Sequence, residues 1–116
     1  MKKNKFSKNW IIKQKRDIYV KKSKLEGYRS RAVYKLQEIN DKFKVIKNNI
    51  SVIDLGAAPG SWSQYISRNF SKSKIISIDL KDIEPIKNLV HIKGDFTEEQ
   101  QKKNIKNYFG KKVDLI

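Results

Sequence analysis

The 116-residue chain contains no cysteine, which excludes disulfides, thiolate metal sites and cysteine nucleophiles. Its one histidine, His91, rules out any centre that needs several imidazoles. No apolar run approaches the ~18–20 residues of a membrane-spanning helix. The N-terminus, MKKNKFSKNWIIKQKR, opens with positive charge but has no long apolar stretch of the kind a secretory signal carries. It also has few serines and no clear amphipathic stripe, which argues against an organellar presequence. The expectation is a soluble protein of a reducing compartment, cytoplasmic and not attached to a membrane.

Charge is what the chain has in excess. Lys and Arg number 27 against 12 Asp and Glu, a formal net charge of +15. Such an excess opposes compaction, and a polyanionic partner is its simplest reason. It is concentrated at one end: residues 1–48 hold 16 basic and 4 acidic residues, residues 49–116 hold 11 and 8. A lysine-rich coding bias would raise the total without placing it at one end. The division expected is a basic N-terminal arm over 1–29 and a folded unit over 30–116.

Within the arm, Trp10, Ile11, Ile12, Ile18, Tyr19 and Val20 recur without a sustained period, so residues 1–24 read as an arm or short helix. From Ser30, a candidate N-cap, the spacing of Val33, Leu36, Ile39 and Phe43 predicts a helix over 31–45 with those four on one face. Beyond the Asn48-Asn49 turn, short apolar runs alternate with helical stretches. Strands are expected at 50–55, 74–80, 89–93 and, just beginning, 113–116. Helices are expected at 60–70, with Trp62, Tyr65, Ile66 and Phe70 on one side, and at 98–109, with Ile105 and Phe109 inward. This alternation predicts a parallel sheet with right-handed crossovers. Because VDLI is an apolar strand with nothing after it, the chain is expected to be part of a longer one.

Open parallel sheets bind ligands beyond the carboxyl ends of their strands. Three predicted strands end there in an acidic residue. The first gives Asp54-Leu55-Gly56-Ala57-Ala58-Pro59-Gly60, in which Gly56 permits a tight turn and Gly60 opens the helix with no side chain in a ligand's way. The spacing differs from the G-x-G-x-x-G that cradles a pyrophosphate, and no Gly-Lys-Ser/Thr follows, which disfavours a nicotinamide-dependent oxidoreductase and a P-loop. The second strand ends at Asp79, whose two carboxylate oxygens match a ribose diol. The third is followed by Gly94-Asp95-Phe96, where a carboxylate can meet an adenine amino group beside a flanking ring. Each acid alone is as readily a turn or cap residue; three at successive strand ends point to a nucleoside.

The runs GYRSRAVYKLQEI (27–39), VIDLGAAPGSWSQY (52–65), SIDL (77–80) and GDF (94–96) resemble the FtsJ/RrmJ group of ribosomal RNA 2′-O-methyltransferases, and the likeness covers nearly the whole chain from about residue 8. The resemblance implies an α/β, Rossmann-like, S-adenosylmethionine-dependent methyltransferase fold, a parallel sheet flanked by helices, here reaching about the fourth strand. It implies S-adenosylmethionine bound through Gly60, Trp62, Asp79 and Asp95, with Asp54 and Gly56 shaping the loop and Phe96 beside the base. It implies methyl transfer to a ribose 2′-oxygen, a uridine of 23S ribosomal RNA in the large subunit, by a Lys-Asp-Lys-Glu set. The first lysine of that set matches Lys35; the other three positions fall after Ile116, so this stretch by itself is expected to be inactive. Taken alone, Lys35 reads as a surface lysine paired with Glu38. Lys13, Lys15, Arg16, Lys21, Lys22, Lys24, Arg29 and Arg31 are expected to contact RNA phosphates, and Tyr28 or Trp10 to stack on an unpaired base. A monomer is expected. The readings left beside this one are a non-enzymatic RNA-binding protein on a degenerate methyltransferase fold and a methyltransferase acting on transfer RNA.

Overall fold

The computed structural model describes residues 2–110 and 112–116, with side chains from residue 8 onward. Its elements are α1 (Lys2–Glu26), α2 (Val33–Phe43), β1 (Ser51–Leu55), α3 (Ser61–Asn69), β2 (Lys74–Asp79), β3 (Leu89–Lys93) and α4 (Glu99–Phe109). β1, β2 and β3 form a parallel sheet in that order, with Asp54 opposite Ser77 and Ser77 opposite His91. On the free side of β1, Leu115 forms a single parallel bridge to Val52: its carbonyl accepts from the Ile53 N–H at 2.9 Å and its N–H donates to the Ser51 carbonyl at 3.1 Å. The strand expected over 113–116 is therefore one bridge, with β1 flanked on both sides. The β1–β2 connection runs through α3 and the path from β3 to Leu115 through α4. The chain thus reverses its direction of winding at β1, and a crevice opens at that strand's carboxyl end.

Each face of the sheet has its own apolar core, as a parallel sheet requires. Val33, Tyr34 and Leu36 of α2 and Tyr65 and Ile66 of α3 pack on Val52 and Ile75 on one face, joined by Ile46 and Ile50. Ile105 and Phe109 of α4 pack on Ile53, Ile76 and Ile78 on the other. The division follows the period-2 alternation of side chains along β1 and β2.

Two expectations about α2 also need correcting. Helix α2 begins at Val33 rather than at residue 31: residues 31–32 form a turn whose Ala32 N–H donates to the Ser30 hydroxyl at 3.3 Å, that hydroxyl also standing 2.8 Å from Ser61 Oγ. Phe43, expected on the buried stripe, is 62% exposed. The helix stops there, with Lys44 in the left-handed region at φ 52°. Buried Asn40 accepts the Ile46 N–H at 2.8 Å, so the chain turns back and Ile46 takes the place in the core.

The arm is a continuous 25-residue helix rather than a short one. Its side chains are exposed from residue 8 to Tyr19, Trp10 among them, and among the described side chains contact with the body is made by its last turns. There Tyr19 stacks on Tyr34 at 5.4 Å between centroids, Lys22 Nζ lies 4.7 Å from the Tyr34 centroid, and the Tyr34 hydroxyl donates to Glu26 Oε1 at 3.1 Å. Burial, then the Glu26 carboxylate, push the Tyr34 pKa up to about 12, so this phenol stays a donor.

Candidate functional site

The loop after β1 is laid onto the neighbouring strand. Gly56, at φ 66°, turns the chain, and the N–H groups of Gly56 and Ala57 both donate to the Ile78 carbonyl, at 2.9 and 3.3 Å. A Cβ at Gly56 would meet nothing within 4 Å, so the main chain there is bare and open. Gly60 differs. It is buried at φ 110°, and a Cβ would stand 3.0 Å from Arg29 Nη1 and 3.2 Å from Ile86 Cδ1. Its bareness accommodates these two side chains, where the sequence suggested open space for a ligand.

Arg29 holds this corner together. Its guanidinium donates to the carbonyls of Pro59 (3.0 Å), Glu84 (2.7 Å) and Pro85 (3.0 Å), and its backbone N–H donates to Gln64 Oε1 (2.8 Å). One cation thus ties the β1–α3 loop to the β2–β3 loop, with charge-assisted bonds. Arg29, expected with the basic arm to contact phosphates, is instead engaged with protein carbonyls. Tyr28 is likewise not a free stacking surface: the Arg68 guanidinium lies 4.5 Å from its centroid and Tyr34 meets its edge. Lys13, Lys15, Arg16, Lys21, Lys22, Lys24 and Arg31 remain exposed.

Asp79 closes the junction from the sheet side. Its Oδ1 accepts the Lys81 N–H at 2.8 Å and its Oδ2 accepts the Ala58 N–H at 3.0 Å. These bonds, Lys81 first and Ala58 second, hold its carboxyl below the ordinary carboxylate range. Each oxygen keeps a lone pair for a further donor. Asp79 borders a cleft of about 320 Å³ with Ala58, Pro59, Lys81 and Asp82.

Asp54 behaves in the opposite sense. Burial pushes its carboxyl up, against the Ser63 hydroxyl that donates to Oδ2 at 2.7 Å, and the nearby Asp79 charge adds to the rise. It lines a largely apolar cleft of about 410 Å³ with Leu36, Leu55, Trp62, Ile66 and Ile116. Asp95 is brought beside Asp79 through the Gly94 N–H, which donates to the Asp79 carbonyl at 2.9 Å. Its Oδ1 accepts from the Thr97 hydroxyl (2.6 Å) and N–H (2.9 Å), which hold the carboxyl down and make it the turn residue ahead of α4. Phe96 faces away from the Asp79 cleft, lining an apolar cleft of about 580 Å³ with Ile53, Leu55, Ile105 and Val113.

Trp62 is a strut. Its indole N–H donates to the Ala32 carbonyl at 2.8 Å, fixing the first turn of α3 to the start of α2. The same carbonyl accepts the Lys35 N–H at 3.2 Å, so Lys35 stands in the turn that Trp62 anchors. Lys35 is exposed, and among the described residues it makes no ion pair with Glu38.

Bare main chain at Gly56 and the Asp79 carboxylate thus stand together at the point where a parallel α/β sheet reverses its winding, the place where such sheets commonly take ligands. The match of the FtsJ-like methyltransferase family over residues 28–116 goes further: the chain belongs to that family. A relative from Pelagibacter ubique (strain HTCC1062), named Ribosomal RNA large subunit methyltransferase E, is 60% identical over 116 residues, 100% of this chain and 57% of the relative. One of the same name from Janthinobacterium sp. (strain Marseille) is 44% identical, over 100% of this chain and 58% of the relative. A crystal structure described as a ribosomal RNA methyltransferase from Plasmodium falciparum superposes with a TM-score of 0.65 at 38% identity, over 74% of this chain and 52% of that one. The chain spans a little over half the length of the curated relatives it matches.

Proposed function

We propose that this chain is the cofactor-binding part of an S-adenosylmethionine-dependent ribose 2′-O-methyltransferase acting on ribosomal RNA, at a uridine of 23S RNA in the large subunit. The observation that carries the reading is the Asp79 clamp, a carboxylate held ionised by two backbone N–H groups at the edge of a cleft whose other wall is the Ala58-Pro59 main chain. Its two oxygens fit the vicinal hydroxyls of a ribose, and the opening beside Gly56 leaves room for a ligand to lie on the backbone. The family and the names of the relatives support methyl transfer to RNA.

In this reading Asp79 holds the cofactor ribose and Asp95 accepts the adenine amino group, while Phe96, lining the separate apolar cleft beside α4, does not flank the base as the sequence suggested. Gly56, Gly60, Asp54 and Trp62 shape the corner, the last by setting the angle between α2 and α3. Bound there, S-adenosylmethionine supplies an electrophilic methyl group. Lys35, projecting from the turn pinned by Trp62, orients the 2′-hydroxyl of the RNA and stabilises the charge that develops on its oxygen. Alignment of the two substrates accounts for a large share of the acceleration, up to roughly 7–11 kcal/mol. The exposed basic residues of α1 and Arg31 neutralise RNA phosphates.

Calorimetric titration of S-adenosylmethionine and of NAD into this chain tests the reading. Saturable binding of the first alone, weakened by Asp79→Ala and spared by Lys35→Ala, is expected. Preference for NAD, or binding indifferent to Asp79, would overturn it. Firm RNA binding without any binding of S-adenosylmethionine would instead favour a non-enzymatic RNA-binding protein.

A further inference from the structure

A row of polar side chains crosses the sheet beneath this corner. Asp54, Ser77 and His91 are successive partners in register on β1, β2 and β3, on the face covered by α3. Ser77 is fully buried in a strand whose other interior residues are Ile75, Ile76 and Ile78. An apolar side chain would serve packing alone equally well there, because a buried hydroxyl needs a partner merely to break even. Its partner is His91 Nδ1, at 2.7 Å. The other ring nitrogen, Nε2, lies 2.9 Å from the Lys81 carbonyl oxygen. A carbonyl only accepts, so Nε2 carries the proton, and in the neutral ring Nδ1 accepts from the Ser77 hydroxyl.

The residue that the imidazole grips is the one that grips Asp79. Lys81 offers its carbonyl to His91 and its N–H to Asp79 Oδ1, the latter at 2.8 Å. From the middle of β2 the links run Ser77, His91, Lys81, Asp79 and finally the Ala58 N–H of the β1–α3 loop. Lys81 lies just past the end of β2, in a stretch without regular structure between Leu80 and Leu89, where no ladder fixes the peptide orientation. The ring does so instead.

We infer that His91 and Ser77 are positioning residues for the nucleoside site: the imidazole, braced by the buried hydroxyl, sets the Lys81 peptide and through it aims the Asp79 carboxylate at the ribose diol. The inference rests on the reading of Asp79 as the ribose acceptor. His91 touches no substrate; it acts through Lys81. Removing it leaves Asp79 in place but free to rotate away from the orientation that meets both hydroxyls.

The test is a calorimetric comparison of S-adenosylhomocysteine with its 2′-deoxy analogue, on the wild-type chain and on His91→Leu, His91→Gln, Ser77→Ala, Asp79→Ala and the Asp79→Ala/His91→Leu double variant. Melting temperatures are followed in parallel. His91→Leu is expected to weaken S-adenosylhomocysteine about three- to tenfold, the worth of one net hydrogen bond, and to leave the deoxy analogue nearly unchanged. His91→Gln, whose side-chain N–H can reach the same carbonyl, regains most of the loss. In the double variant His91→Leu adds nothing to Asp79→Ala. If His91→Leu does not fold, Ser77→Ala carries the same comparison with a smaller loss. Equal weakening of both ligands, or full additivity with Asp79→Ala, makes the pair structural and overturns the inference while leaving the functional reading intact. Failure of the wild-type chain to bind S-adenosylhomocysteine overturns that reading, and this inference with it.

Discussion

The face of the sheet covered by α2 and α3 and the face covered by α4 rest on the same kinds of apolar side chain, chiefly isoleucine. The first also carries a hydrogen-bonded polar set: Ser77 and His91 across the strands, Asp54 bonded to Ser63, and Asn40 turning the chain after α2; on the second, alternation along β1 places the buried Ser51 among the isoleucines. Polar interiors weaken a core unless every group is satisfied, and in that first set each has a partner. The α4 face needs only to hold the sheet flat against a helix. The α3 face must also hold two loops and a carboxylate in fixed relation, which apolar contacts, being without direction, cannot do. Asp79 and Asp54 show the consequence: at neighbouring strand ends, one carboxyl is held down by backbone N–H groups and the other is pushed up by burial.

Four experiments probe this contrast, in order of expected effect. Ile76→Ala, a cavity in the α4 face, should destabilise the chain by about 2–5 kcal/mol in urea unfolding; a loss below 1 kcal/mol would mean that α4 is not a true cover. Arg29→Ala should come next, leaving the Pro59, Glu84 and Pro85 carbonyls without their donor. A loss of about 1.5–3 kcal/mol follows from one charge-assisted interaction, together with weaker cofactor binding that Ile76→Ala does not share relative to its stability loss. If Arg29→Ala instead weakens only RNA binding, the arginine belongs to the basic arm after all.

The third experiment is a pH series on Asp54→Asn. A carboxyl whose folded pKa is raised stabilises the fold when protonated, and that contribution disappears as pH rises through the raised value. Asparagine keeps an acceptor for Ser63 and stays neutral. The variant should therefore match the wild type in acid and be equally or more stable at neutral pH; a wild type that gains on the variant as pH rises would contradict the sign. Smallest is Phe43→Ser, expected within about 0.5 kcal/mol of wild type because the side chain lies outside both cores. A larger loss would restore Phe43 to the buried stripe.

The sequence made the sheet and its helices legible because short runs of isoleucine and valine recur between helical stretches from residue 50 onward, and it located Asp54, Asp79 and Asp95 at or just beyond strand ends for the same reason. What escaped it were contacts between side chains and distant carbonyls. Arg29 reaches Pro85 across 56 residues, Trp62 reaches Ala32 across 30, and a carbonyl looks the same whatever residue bears it. His91 read only as a lone histidine. Its role as a brace depends on register with Ser77, which no local pattern specifies. The length of α1 escaped for a different reason: most of the helix buries no face, so it leaves no apolar period to read.

Phosphate contacts by α1 and Arg31 should make RNA affinity fall with salt, by about 0.7 log units per log unit of salt for each phosphate neutralised on single-stranded RNA; a flat profile would detach the arm from the substrate. The central claim, that the corner built by Asp79, Gly56 and Arg29 holds the nucleoside of a methyl donor, is met most directly by titrating S-adenosylmethionine into the wild-type chain and into Asp79→Ala. Saturable binding that drops at least tenfold in the variant, with the melting temperature little changed, is the predicted result. Equal affinity in both would contradict the account.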